Sequence, residues 1–330
     1  MRYRPLGRSG ILVSEIGFGA WGIGGLTDGQ TSYGDTDDAV SLRALQRAFD
    51  QGITFFDTSS VYGYGRSEEL IGRALGCRRT RVVVATKAGY QRWDRSPNFS
   101  PAEITISVEG SLRRLKTDYI DLLQLHNSSI ELTNQDDVRE TLSSLVQAGK
   151  IRLWGVSAKS PAEAIDLLRV VNIAAVQVNF NMLDVRAATL GLLDEASRRG
   201  IGIIARTPLC FGFLSGKILP STIFPPGDHR LGWPRSQLDR WIEGARELLA
   251  TVQTTSGVTA TQIALRFCLS FPAVSTVIPG MLNTDEVDEN IAASGQGPLP
   301  AAAVDAVLAI NQSRNFFVNL KNTESKETSS

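Results

Sequence analysis

Residues 53–75 read Ile-Thr-Phe-Phe-Asp-Thr-Ser-Ser-Val-Tyr-Gly-Tyr-Gly-Arg-Ser-Glu-Glu-Leu-Ile-Gly-Arg-Ala-Leu and contain one strand–loop–helix unit. The apolar run 53–57 ends in the carboxylate of Asp57. Residues 67–75 open with Ser-Glu-Glu and stop before Gly76, which are helix start and stop signals. Similar apolar runs, mostly continuous rather than alternating, recur along the chain, which is typical of strands covered on both faces. The eight predicted strands are 15–19, 53–57, 82–87, 120–125, 153–157, 175–179, 202–205 and 275–279.

Amphipathic segments lie between these strands. The predicted helices are 37–51, 67–75, 101–115, 135–148, 161–171, 184–199, 237–255, 259–270 and 284–292. Repeated strand–helix alternation predicts an α/β fold whose parallel sheet closes into a barrel. An open doubly wound sheet is the alternative. It is disfavoured because the glycine-rich stretch 17–25 does not lead into a helix, as a dinucleotide-binding turn does.

The remaining segments extend this barrel. Residues 2–6 and 11–13 flank Gly-Arg-Ser-Gly and predict a β-hairpin before the first barrel strand. A Pro- and Gly-rich stretch, 219–235, predicts a long loop after the seventh strand, over the end of the barrel where the strands finish. We expect a single domain over residues 1–320, followed by a polar and disordered tail at 321–330.

Composition excludes several classes of protein. The chain has 330 residues, with 34 Lys+Arg against 34 Asp+Glu, so the basic excess of a nucleic-acid or anionic-membrane binder is missing. The three widely spaced cysteines argue against a disulfide framework or a zinc site, and no other metal site is expected. Without a signal-like N-terminus or a membrane-length apolar run, we expect a soluble cytoplasmic protein. Nothing in the sequence indicates an oligomeric state.

Four ionisable residues lie where predicted strands end: Asp57, Tyr62, Lys87 and His126. In a barrel of parallel strands this rim is where active sites form. A phenol is a weak acid at neutral pH, and a neighbouring ammonium makes it a better proton donor. Asp57 is expected to keep Lys87 charged, and His126 to hydrogen-bond a carbonyl oxygen. Because side chains cannot supply a hydride, a nicotinamide cofactor is expected to do so.

The sequence resembles the aldo-keto reductase family. The resemblance rests on motifs that occur in the family's order, in segments 17–21, 55–69, 85–87, 118–126, 155–157, 177–179, 212–217 and 278–280 and in Glu-Asn at 289–290. The resemblance implies a (β/α)8 TIM barrel that reduces an aldehyde or ketone, including sugar-like substrates, with NAD(P)H. It also implies that Asp57, Tyr62, Lys87 and His126 form the catalytic tetrad.

The same resemblance implies cofactor contacts and a substrate pocket. The cofactor residues would be Gly19, Trp21, Asp57, Ser157, Gln177, Arg206, Leu209, Leu214, Ser215, Lys217, Gly280, Glu286, Glu289 and Asn290. The pocket residues would be Trp21, Tyr62, His126, Phe211 and Trp233. Arg206 replaces an aromatic ring at the nicotinamide face, where its guanidinium plane can stack instead.

Two departures from the family pattern matter. Ala158 stands where an Asn often follows the Ser, which removes one hydrogen bond from the cofactor site or pocket. Residues 281–286, Met-Leu-Asn-Thr-Asp-Glu, lack the Arg or Lys that commonly neutralises the 2′-phosphate of NADP(H), and Glu286 would repel it. The family favours NADP(H) and these local residues favour NAD(H), so both remain open.

Other interpretations also remain open. One is an NAD-dependent sugar or alcohol dehydrogenase that runs in the oxidative direction. A nicotinamide-binding regulatory subunit would bind cofactor without turnover, but an intact tetrad argues against it. A barrel isomerase or lyase would not need the adenosine-binding segment around 278–290. Taken singly, segment 212–217 is equally a turn, 278–280 a strand exit, and Gln177 and Asn179 structural residues of the barrel interior.

Overall fold

The computed structural model describes residues 1–28, 31–252 and 257–318. Two short strands form an antiparallel hairpin at the N-terminus, β1 (Tyr3–Pro5) and β2 (Leu12–Ser14). Eight parallel strands follow: β3 (Phe18–Gly19), β4 (Phe55–Asp57), β5 (Val83–Ala88), β6 (Ile120–His126), β7 (Ile151–Ser157), β8 (Ala175–Asn179), β9 (Gly202–Arg206) and β10 (Val274–Ile278).

The eight strands lie in chain order, from β3 to β10, and each pairs in parallel with the next. Two parallel bridges, Ile16 with Val277 and Gly19 with Gly280, join the first strand region to the last. The sheet therefore closes into a barrel, and the predicted (β/α)8 fold and N-terminal hairpin are confirmed.

Helices connect the strands and surround them. They are α1 (Asp38–Asp50), α2 (Arg66–Leu75), α3 (Pro101–Leu115), α4 (Ile130–Thr133), α5 (Asp136–Gln147), α6 (Pro161–Val170), α7 (Arg186–Thr189), α8 (Leu192–Arg199), α9 (Arg235–Thr251), α10 (Ala260–Leu269), α11 (Thr284–Gln296) and α12 (Ala301–Ser313). Their starts are capped locally: Ser160 accepts the Glu163 N–H ahead of Pro161, and Thr259 forms a capping box with Gln262.

Some helix predictions were wrong. The segment 184–199 contains two helices, because Gly191 adopts a left-handed φ of 83° between α7 and α8. Helices α4 and α12 were missed. In α12 the residues from Ala301 to Ile310 are apolar except for Asp305, so no polar face marks a helical period in its sequence. The long loop after the seventh barrel strand includes a 3₁₀ turn, His229–Gly232, and α9 begins at Arg235. The end of the predicted helix 237–255 and the tail 321–330 lie outside the described residues.

Side chains of the strands divide between two cores. Neighbouring residues of a strand point to opposite faces, so Phe56, Val84 and Leu123 join the large core beneath the helices. Phe55, Val83, Ala85, Leu122 and Ile204 instead form an inner core with Leu6 and Val13 of the hairpin. This inner core fills the amino-terminal end of the barrel, which leaves the carboxyl end of the interior for polar residues.

Candidate active site

The inward positions beyond the inner core carry polar groups. Two residues after Phe55 comes Asp57, two after Ala85 comes Lys87, and two after Leu122 comes Gln124. The same alternation turns His126, Gln177 and Arg206 toward the interior. Strand register, rather than any local signal, thus gathers these side chains at one end of the barrel.

Lys87 and Asp57 form a buried ion pair. The Lys87 Nζ donates to Asp57 Oδ1 over 2.5 Å and to the Thr58 carbonyl over 2.8 Å. The second carboxylate oxygen accepts from Gln124 Nε2 at 2.9 Å and Gln177 Nε2 at 2.7 Å. Burial alone would favour the neutral amine, but the Asp57 and Tyr62 side chains raise the pKa of Lys87 above its ordinary value. Lys87 is therefore an ammonium at neutral pH.

Tyr62 is held against this ammonium by a tight turn. The Lys87 Nζ lies 4.9 Å from the centroid of the Tyr62 ring. Gly63, the next residue, has a φ of 60°, and a Cβ there would lie 2.2 Å from the Gly24 carbonyl oxygen. Only glycine allows residue 63 to lie this close to Gly24, so the Tyr-Gly-Tyr-Gly turn fixes the position of the Tyr62 phenol.

His126 completes the group from the end of β6. Its ring packs edge-on against Tyr62, with centroids 6.1 Å apart, and its Nδ1 lies 3.4 Å from the Ser59 hydroxyl. Tyr90 and Trp93, in the loop after β5, pack on the same imidazole. Burial, followed by the charge of Lys87 and of Arg206, places the pKa of His126 well below its ordinary value. The imidazole is therefore neutral at physiological pH.

Arg206, at the end of β9, lies across the neighbouring strand ends. Its guanidinium donates to Asn179 Oδ1 at 2.7 Å, Ser157 Oγ at 2.7 Å and the Ala158 carbonyl at 2.9 Å. The Asn127 side chain accepts a longer bond of 3.3 Å. Because four oxygens hold it, its plane has one defined orientation.

A cleft of about 420 Å³ begins at Tyr62 and Asp57 and continues outward to α11. This volume is within the range of small-ligand sites, roughly 300–1,000 Å³. The predicted residues that line it are Gly19, Trp21, Asp57, Tyr62, Gln177, Arg206, Leu209, Phe211, Ser215, Lys217, Gly280, Glu286, Glu289 and Asn290. A single elongated cleft therefore joins the ionisable cluster to the predicted adenosine end.

Three predicted contact residues lie behind the cleft wall. Ser157 is fully buried and its hydroxyl is occupied by Arg206. Leu214 is also fully buried, in the large core. Trp233 packs edge-on against Phe211, with centroids 4.6 Å apart, so Phe211 separates it from the cleft. The side chains of these three residues do not line the cleft, and their contacts with cofactor or substrate stay predictions. Lys87 is buried behind the Tyr62 ring, and His126, also buried, lies beside that ring.

The outer end of the cleft carries acidic groups. Glu286 lines it and accepts the Leu282 N–H at 2.8 Å, while Asn283 caps the start of α11. Lys217 bridges to Glu289 over 2.8 Å, so its charge is already matched. The hydrogen bond that Lys217 donates to Glu289 raises the pKa of Lys217. Asn290 is buried beside them.

Sequence reasoning missed several residues of the site. Gln124 shares the inward face with His126, and this parity was a usable signal. Tyr33 and Arg230 line the cleft from two loops that meet where the His229 N–H donates to the Ser32 carbonyl at 2.8 Å. No periodic pattern marks a contact between loops so distant in sequence.

Within residues 1–28, 31–252 and 257–318, no group of three or more His, Cys, Asp or Glu side chains is placed to hold a metal ion. None of the helices in this part of the chain is long and apolar enough to cross a bilayer. The arrangement offers a phenol beside an ammonium, a neutral imidazole and a long cleft.

Comparison with known proteins gives a consistent result. The model of the Aldo/keto reductase family matches residues 15–312. The aldo-keto reductase YhdN of Bacillus subtilis is 34% identical over 289 residues, which cover 85% of each chain. A probable voltage-gated potassium channel subunit beta of Arabidopsis thaliana is 32% identical, covering 95% of this chain and 98% of its own.

Solved structures show the same fold. The glycerol dehydrogenase AKR11B4 of Gluconobacter oxydans superposes with a TM-score of 0.80 at 29% identity, covering 96% of this chain and 97% of its own. The resemblance first seen in short motifs thus extends over nearly the whole length. With its barrel, its cleft and these matches, the chain belongs to the aldo/keto reductase family.

Proposed function

We propose that this protein reduces an aldehyde or ketone to an alcohol with a nicotinamide cofactor, and that Tyr62 donates the proton. The observation that carries the proposal is the Lys87 ammonium, bound to Asp57 at 2.5 Å and 4.9 Å from the Tyr62 ring, at the inner end of an elongated cleft. An ammonium this close stabilises the phenolate left after proton transfer, which makes the phenol a better acid.

The cofactor, when bound, supplies the hydride. The cleft fits such a group because it is continuous from Tyr62 to Asn290, a span that links the reacting end to a distant binding end. Gln177 and Arg206 would hold the nicotinamide end, and Ser215 and Lys217 the pyrophosphate. Gly280, Glu286 and Asn290 would hold the adenosine.

The protein's own groups do the proton chemistry. Tyr62 delivers a proton to the carbonyl oxygen, and Asp57 keeps Lys87 charged and oriented. His126, neutral at working pH, can donate a hydrogen bond to the same oxygen without a competing charge. Trp21, Tyr33 and Phe211 supply an apolar wall for the substrate, as is common in small-ligand sites.

The proposed cofactor is NAD(H). Glu286 lines the outer end of the cleft, and Lys217, a cation that lines the cleft there and feels its charge, already pairs with Glu289. A 2′-phosphate would meet a negative charge without a free cationic partner, whereas a ribose hydroxyl can donate to a carboxylate. NAD⁺-linked oxidation of a sugar-like alcohol uses the same groups in reverse, and the Glu286 carboxylate favours that second candidate.

The test compares Tyr62→Phe with Tyr64→Phe, a change in the same turn. Tyr64 stands two residues away, and its hydroxyl contacts Asp28 rather than Lys87. We expect Tyr62→Phe to lower kcat at least about 100-fold while the Kd for NADH stays unchanged, since only the proton donor is lost. Tyr64→Phe should retain turnover. Comparable turnover in both variants would refute the assignment of the proton donor.

A panel of aldehydes, ketones and sugars separates the enzyme from a regulatory protein. Consumption of NADH with any member supports turnover. Tight cofactor binding with no consumption across the panel would favour a regulatory subunit, and a relative is named as a probable potassium channel subunit beta.

A further inference from the structure

We infer that Arg206 makes the cleft discriminate between the reduced and oxidised cofactor by charge, in favour of the reduced form. The inference rests on the proposed function, because it concerns the nicotinamide that this cleft would hold. It goes further by assigning Arg206 an electrostatic role rather than a stacking one.

The first observation is the absence of a counter-anion. Each group that accepts from Arg206 is a neutral oxygen, from Asn179, Asn127, Ser157 or the Ala158 backbone. The two carboxylates that act on it from further away are committed elsewhere, Asp57 to Lys87 and Asp184 to Arg186. In the described part of the chain, no carboxylate lies within 4.0 Å of this guanidinium. Arginines held inside a protein are ordinarily paired with a carboxylate, so this partly buried one is unusual.

The second observation is where this charge stands. Arg206 lines the same end of the cleft as Tyr62, Asp57 and Gln177. A hydride donor must approach the carbonyl that receives the Tyr62 proton, so its ring has to occupy this end. The Asp57 carboxylate balances the charge of Lys87, and His126 is neutral. Arg206 therefore gives the inner end of the cleft a net charge of about +1.

The consequence follows from the charges of the two cofactor forms. The nicotinamide ring of NAD⁺ is a cation and that of NADH is neutral. A fixed guanidinium at the wall of the cleft repels the first ring and is indifferent to the second. Tighter binding of NADH than of NAD⁺ also helps expel the oxidised cofactor once a carbonyl has been reduced.

The measurement is the ratio of Kd for NAD⁺ to Kd for NADH, obtained by titrating each cofactor against tryptophan fluorescence, since Trp21 lines the cleft. For the parent we expect a ratio of at least about 10, which raises the potential of the bound couple by about 30 mV. Arg206→Gln keeps hydrogen-bonding capacity and removes the charge, and should lower the ratio at least about fivefold. Arg206→Lys keeps the charge and should keep most of the ratio.

A second variant leaves Arg206 in place. Asn179→Asp puts a carboxylate on the atom that already accepts from the Arg206 Nε at 2.7 Å, which neutralises the guanidinium without removing it. We expect the ratio to fall as it does in Arg206→Gln. Circular dichroism on each variant checks folding, and Asn179→Asp decides the matter if Arg206→Gln does not fold.

The outcomes separate this inference from the function on which it rests. Suppose that in Arg206→Gln and Asn179→Asp the Kd for NAD⁺ and the Kd for NADH rise by the same factor, so that their ratio is unchanged. Arg206 is then a structural residue and the inference is wrong. If neither cofactor form binds the parent, the proposed function and this inference both fail.

Discussion

Replacing Asp57 with Asn leaves the Lys87 ammonium buried without its carboxylate. Lys87 is 1% exposed, so water cannot replace the lost partner. Removing one member of a buried ion pair typically costs about 3–5 kcal/mol. Asn keeps the shape and an oxygen for Gln124 and Gln177, so the loss should come from charge rather than from a cavity. We expect a lower free energy of unfolding together with a lower kcat.

The pH dependence of that loss has a definite sign. In the parent, the pKa of Lys87 is raised, so its stabilising contribution is fully present below the ordinary value of 10.5 and is lost only above it. In Asp57→Asn, the carboxylate no longer opposes the effect of burial, and we expect the folded-state pKa of Lys87 to drop below 10.5. The variant can then fold with a neutral amine, at the free-energy cost of deprotonating a lysine.

That cost sets a ceiling on the charge-related loss. At about 1.36 kcal/mol per pH unit, deprotonation costs about 5 kcal/mol at pH 7 and about 2 kcal/mol at pH 9. The stability gap between parent and variant should therefore shrink as pH rises from 7 to 9. Urea unfolding of both proteins across this range measures the gap.

A matched control is Asp184→Asn. Asp184 is as buried as Asp57, but its partner Arg186 is 51% exposed and can regain water. We expect its stability loss to show no slope between pH 7 and pH 9. A gap for Asp57→Asn that is below about 1 kcal/mol, or that does not change with pH, would refute the argument that Lys87 depends on this carboxylate.

Two further predictions concern the cofactor end and His126. Glu286→Gln removes a negative charge but keeps the acceptor for the Leu282 N–H, so the ratio of kcat/KM for NADPH to that for NADH should rise roughly tenfold, about 1.4 kcal/mol. An unchanged ratio in parallel assays would mean that Glu286 does not face the 2′ position. The pKa of His126 lies well below its ordinary value of 6.5, so a profile of kcat against pH should show no inflection near pH 6.5. If the parent shows such an inflection and His126→Asn abolishes it, the neutral state of the His126 imidazole is contradicted.

Much of the fold could be predicted because strand–helix alternation is a local signal. Apolar runs locate strands, and Ser, Pro and Gly mark helix ends, as at Ser160 and Gly200. The prediction was wrong where one residue overrides the pattern, as Gly191 does between α7 and α8, and where apolar residues fill nearly every position, as in α12.

The site was predictable to the extent that strand ends define it. Asp57, Lys87 and His126 end neighbouring strands, and closure of the barrel brings such ends together. The positions of Leu214 and Trp233 were not predictable, since each depends on how the segments after β9 pack. The contact between the Ser32 and His229 loops is equally long-range.

The sequence by itself determined the order of strands and helices and the chemical groups at their ends, because both follow from residue type and spacing along a few positions. Only the tertiary structure decided which groups meet: that Tyr62 faces Lys87, that Arg206 bonds to neutral oxygens, and that Ser157 and Trp233 stand behind the wall. The physical reason is that hydrogen bonds, burial and electrostatic neighbours arise between segments distant in the chain, where no local periodicity records them.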